Sequence, residues 1–283
     1  MRNADEIEFD EVKRGLFELM RQPSPSGIAA IDEWGHMLRA GEVTLLFAAS
    51  QMPRTALALE LVWRIVSERE SGALVFTPGC SAEKYLQTLV AVRAGVNRWR
   101  TSRRLVPRSE MEKIGKRCDE VKEQLRGSAL FIEDDWCIDP DKMVRTARLA
   151  ARSIKLGLIV VDRLQDCSCG SLQESAVGWG VLGSRLKRIA EECRVPVLVL
   201  SGVSTKEVKI PDVLAGYGCL HEYIGRIVAM RAVKSEENIV FRLEEMTDAF
   251  ADQVRIEFGS GDFSLICAER CAAQRAEQAP EPE

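Results

Sequence analysis

Residues 43–55 read VTLLFAASQMPRT, and their pattern indicates the fold class. Its first part, Val43–Ala49, is an apolar run of the kind found in parallel strands that are buried on both faces. A short turn follows, and Thr55 opens a segment of helical periodicity that extends to Glu70. A buried strand that leads through a short turn into a helix is the building unit of a doubly wound α/β sheet.

The same alternation continues along the chain. Further strands are predicted at 73–77, 129–132, 158–161 and 197–200, and helices at 82–95, 109–126, 139–155 and 174–193. After Tyr223 the pattern changes to four short strands, at 224–230, 238–243, 254–258 and 263–266. We therefore predict an α/β fold: a mostly parallel twisted sheet with helices on both faces and an antiparallel extension. We expect strand 158–161 to lie next to strand 43–49.

Composition divides the chain and limits its class. Residues 1–25 comprise a predicted amphipathic helix at 4–21 and a linker with two prolines, 26–267 form the α/β domain, and 268–283 read as a polar, disordered tail. The net charge of −4 argues against bulk nucleic-acid coating, and no segment has the apolar length of a membrane helix. Nine cysteines without an export leader predict a reducing, cytoplasmic location.

The turn after the first strand is where a phosphate-binding loop would lie. Such a loop needs glycines that let backbone amides face phosphate, a lysine for the outer phosphates and a hydroxyl for Mg²⁺. Thr55 supplies the hydroxyl, but Ala48 and Pro53 stand at the glycine positions and Arg54 at the lysine position. On these eight residues alone, a plain strand–turn–helix connection is the simpler interpretation.

The flanking motifs add a family resemblance. They are SGI at 26–28, Asp32, GE at 41–42, Met52 with Thr55, GLIVVDRLQ at 157–165, LKRIA at 186–190 and VPV at 195–197. In this order and at these intervals they resemble the C-terminal motor domain of DnaB-type replicative DNA helicases, over residues 26–266. The resemblance implies a RecA-like P-loop NTPase core that uses ATP and Mg²⁺ as its cofactors.

The resemblance also implies the roles of individual residues. Those at nucleotide-binding positions are Ala48, Gln51, Met52, Pro53, Arg54, Thr55 and Asp162, of which Thr55 and Asp162 would hold Mg²⁺. Cations that could contact single-stranded DNA are Arg98, Arg100, Arg103, Arg104, Lys206 and Lys209. The helix at 4–21 stands where the family has a linker helix that docks on a neighbouring subunit. A homo-oligomer, or a hetero-oligomer with a DnaB-type helicase, is therefore expected.

Three positions that carry chemistry in the family differ here. Gly79 replaces the glutamate that polarises water, and Gly202 replaces the glutamine that senses the γ-phosphate. The basic finger segment corresponds to 243–249, which reads LEEMTDA and contains no cation. In addition, Pro53 removes an amide donor, and the planar guanidinium of Arg54 is a poor substitute for a compact ammonium group.

These departures favour a non-catalytic relative of the motor domain that acts as a subunit, adaptor or regulator in DNA transactions. The first alternative is an active ATP-dependent helicase, in which Arg54 replaces the lysine and Glu83 or Asp134 serves as the base. The second is a nucleic-acid-binding module that uses the arginines at 98–104.

Two further features suggest metal chemistry. The cysteine pairs Cys167/Cys169 and Cys267/Cys271 could contribute ligands to zinc, but their spacing is not that of two CxxC pairs, so scattered packing cysteines are the better interpretation. His36 is interpreted as a surface residue.

Overall fold

The computed structural model describes residues 26–35, 37–49, 53–68, 71–96, 107–136, 138–167, 176–203, 217–233, 239–245, 253–258 and 265–271. The predicted helix at 4–21 and the last twelve residues of the predicted tail lie outside these ranges. Among the described helices, none is long and apolar enough to cross a membrane.

The described chain contains six α-helices and nine strands. The helices are α1 (Ala29–Trp34), α2 (Arg54–Glu68), α3 (Ala82–Arg93), α4 (Arg108–Leu125), α5 (Pro140–Ser153) and α6 (Ala176–Cys193). The strands are β1 (Val43–Ala49), β2 (Gly72–Phe76), β3 (Leu130–Glu133), β4 (Leu156–Asp162), β5 (Val197–Val203), β6 (Arg226–Val233), β7 (Ile239–Glu245), β8 (Gln253–Phe258) and β9 (Leu265–Cys271). Short 3-10 helices span Leu164–Asp166 and Gly218–Tyr223.

All nine strands form one sheet in the order β3-β2-β4-β5-β1-β6-β7-β8-β9. The first six strands in this order, which end with β6, are mutually parallel. β7, β8 and β9 then continue the sheet in antiparallel pairs. The predicted fold class, including its antiparallel extension, is confirmed.

The expected neighbour of β1 was wrong. β5 lies between β1 and β4, since Val197 pairs with Val43 on one side and with Ile159 on the other. The error has a physical cause: β1, β4 and β5 are all apolar runs buried on both faces, so hydrophobicity identifies them as central strands without specifying their order.

The sheet separates two hydrophobic layers. Alternate β1 side chains point to opposite faces, so that Leu46 joins the layer of α2 and α3 while Leu45 and Phe47 join the layer of α5 and α6. All three are fully buried. This two-sided burial explains why β1 shows no alternation of polar and apolar residues.

The SGI and Asp32 motifs form a structural brace. The carboxylate of Asp32 accepts hydrogen bonds from the backbone N–H groups of Ser26 and Gly27, the latter at 3.3 Å. Gly27 adopts a left-handed φ of 85°, and its carbonyl accepts a hydrogen bond from Arg64 of α2 at 2.9 Å. These hydrogen bonds therefore fix the entry to the domain against α2.

Two predicted boundaries require correction. β5 continues to Val203, so Gly202 lies within the strand and not after it. β9 continues to Cys271 through pairing with β8, which places residues 268–271 of the predicted tail in the sheet. Both extensions include polar or small residues, such as Gly202 and Glu269, whose strand conformation depends on the neighbouring strand, and a local pattern does not reveal this.

Candidate functional site

The candidate site lies where β1, β4 and β5 end at their carboxyl edge, the edge at which open α/β sheets bind ligands. β1 ends at Ala49, β4 at Asp162 and β5 at Val203. Helix α2 begins at Arg54 and carries Thr55 as its second residue. Pro53 precedes the helix, and its carbonyl accepts the Leu57 N–H at 3.0 Å.

The guanidinium of Arg54 folds back onto the end of β1. Its Nη1 donates to the carbonyl of Ala49 at 2.8 Å and to the carbonyl of Ala48 at 3.1 Å. These carbonyls belong to the strand end from which a phosphate loop would begin. The cation at the lysine position is thus engaged by backbone carbonyls of its own chain.

Gly202 provides the space for this arrangement. The parallel register places it beside Ala48, and a Cβ at position 202 would lie 2.7 Å from Nη2 of Arg54. Any side chain there would displace the guanidinium. The arginine at 54 and the glycine at 202 are therefore geometrically coupled substitutions.

The electrostatics of the site depend on Arg54 and its neighbours. Burial lowers the pKa of the Arg54 guanidinium, and the negative charge of Asp162 partly offsets that effect. The like charge of Arg163 lowers the same pKa further. Asp162 is only 6% exposed. Asp162 therefore contributes a negative charge close enough to act on the buried guanidinium of Arg54.

A polar network that sequence reasoning missed borders Arg54. The side-chain amide nitrogen of Gln165 lies 2.7 Å from the Gly202 carbonyl and 2.8 Å from the hydroxyls of both Ser201 and Tyr217. The two hydroxyls are also hydrogen-bonded to each other. The Tyr217 ring packs edge-on against Trp179 at 5.0 Å. This network fixes the carboxyl end of β5, which holds the backbone at Gly202 in place.

Gly79, the second glycine at a family site position, lies beside a carboxylate. Gly79 has a left-handed φ of 74°, and a Cβ there would lie 2.7 Å from Oδ2 of Asp166. The same oxygen forms an ion pair with Nε of Arg163 at 3.0 Å. Arg163 itself has a φ of 83°, an unusual conformation for a residue with a side chain. Asp166 therefore lies beside the position from which the predicted glutamate is absent.

The family model described as DnaB-like helicase C terminal domain matches residues 24–212, which is more than half of the chain. The chain belongs to this family. Motifs that are weak individually thus identified it correctly as a set.

Curated relatives in this family are distant. The chain is 22% identical over 200 residues to the "Probable plasmid replicative DNA helicase" of Chlamydia trachomatis serovar L2, covering 70% of the chain and 42% of the relative. It is 22% identical over 193 residues to "Replicative DNA helicase DnaC" of Bacillus subtilis, covering 66% of the chain and 42% of the relative. The chain thus spans less than half the length of these relatives.

Solved structures support the fold. The chain matches a solved structure described as an ATPase domain with a TM-score of 0.73 at 16% identity, covering 94% of this chain and 99% of that one. It matches "The Structure Of A DnaB-Like Replicative Helicase And Its Interactions With Primase" with a TM-score of 0.71 at 17% identity, covering 92% and 68%. A RecA-like core is the conclusion from these similarities.

Asp134 and Glu83, the carboxylates predicted as alternative bases, both lie at the start of α3. Asp134 accepts the backbone N–H of Ala82 at 2.8 Å and so anchors the start of α3. Glu83 is exposed in the first turn of α3. Asp166 is the carboxylate beside Gly79, and its place four residues after Asp162 was the only sequence clue to it.

The acidic segment at the family's finger position is partly described. Glu244 forms an ion pair with Arg231 at 3.0 Å, and Glu245, which is buried, forms one with Arg226 at 2.9 Å. Both arginines lie on β6, so these charges stabilise the β6–β7 pair within the chain. Residues 246–249 lie outside the described ranges.

Several predicted site residues also lie outside the described ranges. These are Gln51, Met52, Arg98, Arg100, Arg103, Arg104, Lys206, Lys209, His36 and Cys169. Among the predicted nucleotide-site residues that are described, Ala48 and Pro53 are buried and Thr55 is half-buried. The side chains of Cys267 and Cys271 are likewise not described, while Cys167 is buried. Within the described residues, no group of three or more metal-ligating side chains occurs.

The coupling between Arg54 and Gly202 is measurable in a double-mutant cycle. Gly202→Ala should displace the guanidinium and lower the free energy of unfolding by about 1–3 kcal/mol, because charge-assisted hydrogen bonds are lost. In an Arg54→Ala background the same change should cost less, with a coupling energy of at least about 0.5 kcal/mol. Urea denaturation of the four proteins measures this. Additive effects of the two substitutions would contradict the geometric coupling.

Proposed function

We propose that this chain is a non-catalytic member of the DnaB-type motor family that acts as a subunit, adaptor or regulator in DNA replication or a related DNA transaction. The observation that carries the proposal is the guanidinium of Arg54, which is hydrogen-bonded to the carbonyls of Ala48 and Ala49. A cation held there is not available to the outer phosphates of a nucleotide.

The fit of Mg-ATP to the described residues is poor. A phosphate cradle depends on backbone N–H groups at the helix start, and Pro53 has none. Arg54 is oriented toward carbonyl oxygens, which repel phosphate, and Gly202 allows it to stay there. Thr55 and Asp162 could still contact Mg²⁺, but a metal site without its phosphate cradle would hold nucleotide weakly.

Side chains that catalyse hydrolysis in the family are also missing here. Relative to the family pattern, Gly79 lacks the side-chain carboxylate and Gly202 lacks the side-chain amide. At the finger segment, Glu244 and Glu245 are ion-paired within the chain. Loss of an arginine finger alone lowers phosphoryl-transfer rates by roughly 10³-fold or more. Combined with the loss of the base and the sensor, this favours a chain that has kept the fold for assembly.

An active ATPase is the second candidate, and one observation favours it. The carboxylate of Asp166 lies beside Gly79, so it could replace the absent glutamate. Its ion pair with Arg163 opposes this role, since the carboxylate oxygen that faces Gly79 is already engaged by a guanidinium. The two candidates therefore differ in what a substitution at Asp166 would do.

Mg-ATP hydrolysis by the full chain should be at background, with or without single-stranded DNA. The reason is the absence of the base, the sensor and a free lysine-type cation. Phosphate release from the wild type, Asp162→Ala and Asp166→Asn should be equal, with Asp119→Asn on exposed α4 as a control for charge. A turnover that both site substitutions abolish and the control preserves would establish the active ATPase instead.

An apolar groove between α3 and α4 supports an assembly role. It is lined by Leu86, Val90, Cys118, Val121 and Leu125, with Lys122 and Arg126 at its side. The helix predicted at 4–21 offers a complementary apolar stripe, Val12, Leu16, Leu19 and Met20, and five acidic residues between positions 5 and 11. We therefore propose that the predicted helix of one subunit binds in the groove of another.

Deleting residues 1–22 should lower the native mass while leaving the domain folded. Burial of four large apolar side chains would contribute roughly 1.5–3 kcal/mol each before ordering costs are subtracted, which favours association. Light scattering on the full chain and the deletion, each alone and mixed with a DnaB-type helicase, measures the effect. Cys118→Glu, at an exposed position of the groove wall, should have the same result. If full-length and deleted chains are both monomeric in every mixture, the assembly role is wrong.

A further inference from the structure

The outer surface of α5 and the end of α6 carries a cluster of cations that none of the preceding roles uses. We call it the basic face; its members are Arg145, Arg148, Arg152, Lys155, Arg188 and Arg194. It belongs to the helical layer on the side of the sheet opposite α2 and α3. None of its members is among the cations predicted from the family resemblance.

Ion pairs between the two helices place these cations together. Arg185 contacts Asp141 at 2.6 Å and Arg148 contacts Glu192 at 2.6 Å, so residues 44 positions apart lie side by side on parallel helices. With this offset, Arg152 and Arg194 lie at the same end of the layer. Along α5, Arg145 and Arg152 are seven residues apart, which puts them on one side of the helix about 10 Å from each other.

Carboxylates do not neutralise the basic face. Glu192 is shared between Arg148 and Arg188. The pKa of Glu192 is lowered to about 2 by its hydrogen bonds to these two arginines, so it stays ionised at neutral pH. One carboxylate therefore balances two guanidinium groups, and a surplus of positive charge remains even here.

The other four cations are less engaged. Arg145 has only a long contact of 3.8 Å with Asp139. Arg152, Lys155 and Arg194 are exposed and form no ion pair with another residue in the described ranges. The full chain has a net charge of −4, so this local excess of cations stands out against an acidic background.

Arg194 occupies a strained backbone position. It follows the last residue of α6 with a φ of 55°, in the left-handed region where glycine or asparagine usually ends a helix. A residue with a Cβ there costs stability that glycine would not. A backbone outlier of this kind supports a role for the side chain itself. Arg194 is exposed, so its guanidinium can reach a ligand in solution.

We propose that the basic face binds the phosphate backbone of nucleic acid without reading its sequence. Guanidinium groups bind phosphate in a planar, bidentate geometry, and five of the six cations are arginines. Leu149, which is 64% exposed, is the one large apolar side chain exposed along α5. A single leucine among arginines fits a polyanion better than it fits the apolar core of a protein interface.

Fluorescence anisotropy with the full chain tests the proposal. The probes are a 30-nucleotide oligo(dT) and a 30-base-pair duplex, titrated between 50 and 200 mM salt. The test variant is R145Q/R152Q/R194G, and R108Q/K113Q/K116Q on the exposed side of α4 is a control with the same change of charge. The test variant should lose about tenfold or more in affinity at 50 mM salt, and its salt slope should fall by about two, since each phosphate contact contributes about 0.7–0.9. The control should lose much less.

Arg194→Gly alone separates binding from folding. Because glycine relieves the left-handed strain, the variant should have a higher thermal unfolding midpoint and yet a weaker affinity for nucleic acid. Three results would overturn the proposal: no binding of either probe by the wild type, equal losses in test and control variants, or a loss of binding that follows only from substitution of the arginines at 98–104. Binding of an acidic peptide in place of both probes would assign the surface to a protein partner and overturn it as well.

Discussion

The hydrogen bonds from Arg54 to the carbonyls of Ala48 and Ala49 are the central interaction of the candidate site. They direct the one cation of the phosphate loop position into the protein's own backbone. Gly202 gives the guanidinium its space, and the network of Gln165, Ser201 and Tyr217 fixes the strand that carries Gly202. The site is therefore organised around an internal contact where its family would place a ligand.

Much of the fold could be predicted because its central strands are unusually apolar. Val43–Ala49 is buried on both faces and was recognisable as a parallel strand from composition alone. The same property hid the strand order, since β4 and β5 are equally apolar and either could have paired with β1. Strand order is decided by crossover connections and helix packing, which no local pattern encodes.

The candidate site was only partly predictable, for a related reason. Motif positions identified Arg54, Asp162 and the two glycines because the family pattern fixes their places in sequence. The contact between Arg54 and Gly202 spans 148 residues of chain, and the proximity of Asp166 to Gly79 spans 87. Such pairs arise from parallel register and from turns with unusual φ values, so they become visible only when the strands are aligned.

We propose that Arg54 closes the site to nucleotide, and a calorimetric titration can test this. Titration of the full chain with Mg²⁺ and a non-hydrolysable ATP analogue should give no saturable binding up to about 1 mM, a free energy weaker than about −4 kcal/mol. Arg163→Ala should behave in the same way, since it leaves the contacts of Arg54 intact. Micromolar binding by the wild type that Arg54→Ala abolishes would show that this arginine holds phosphate, and would contradict the account.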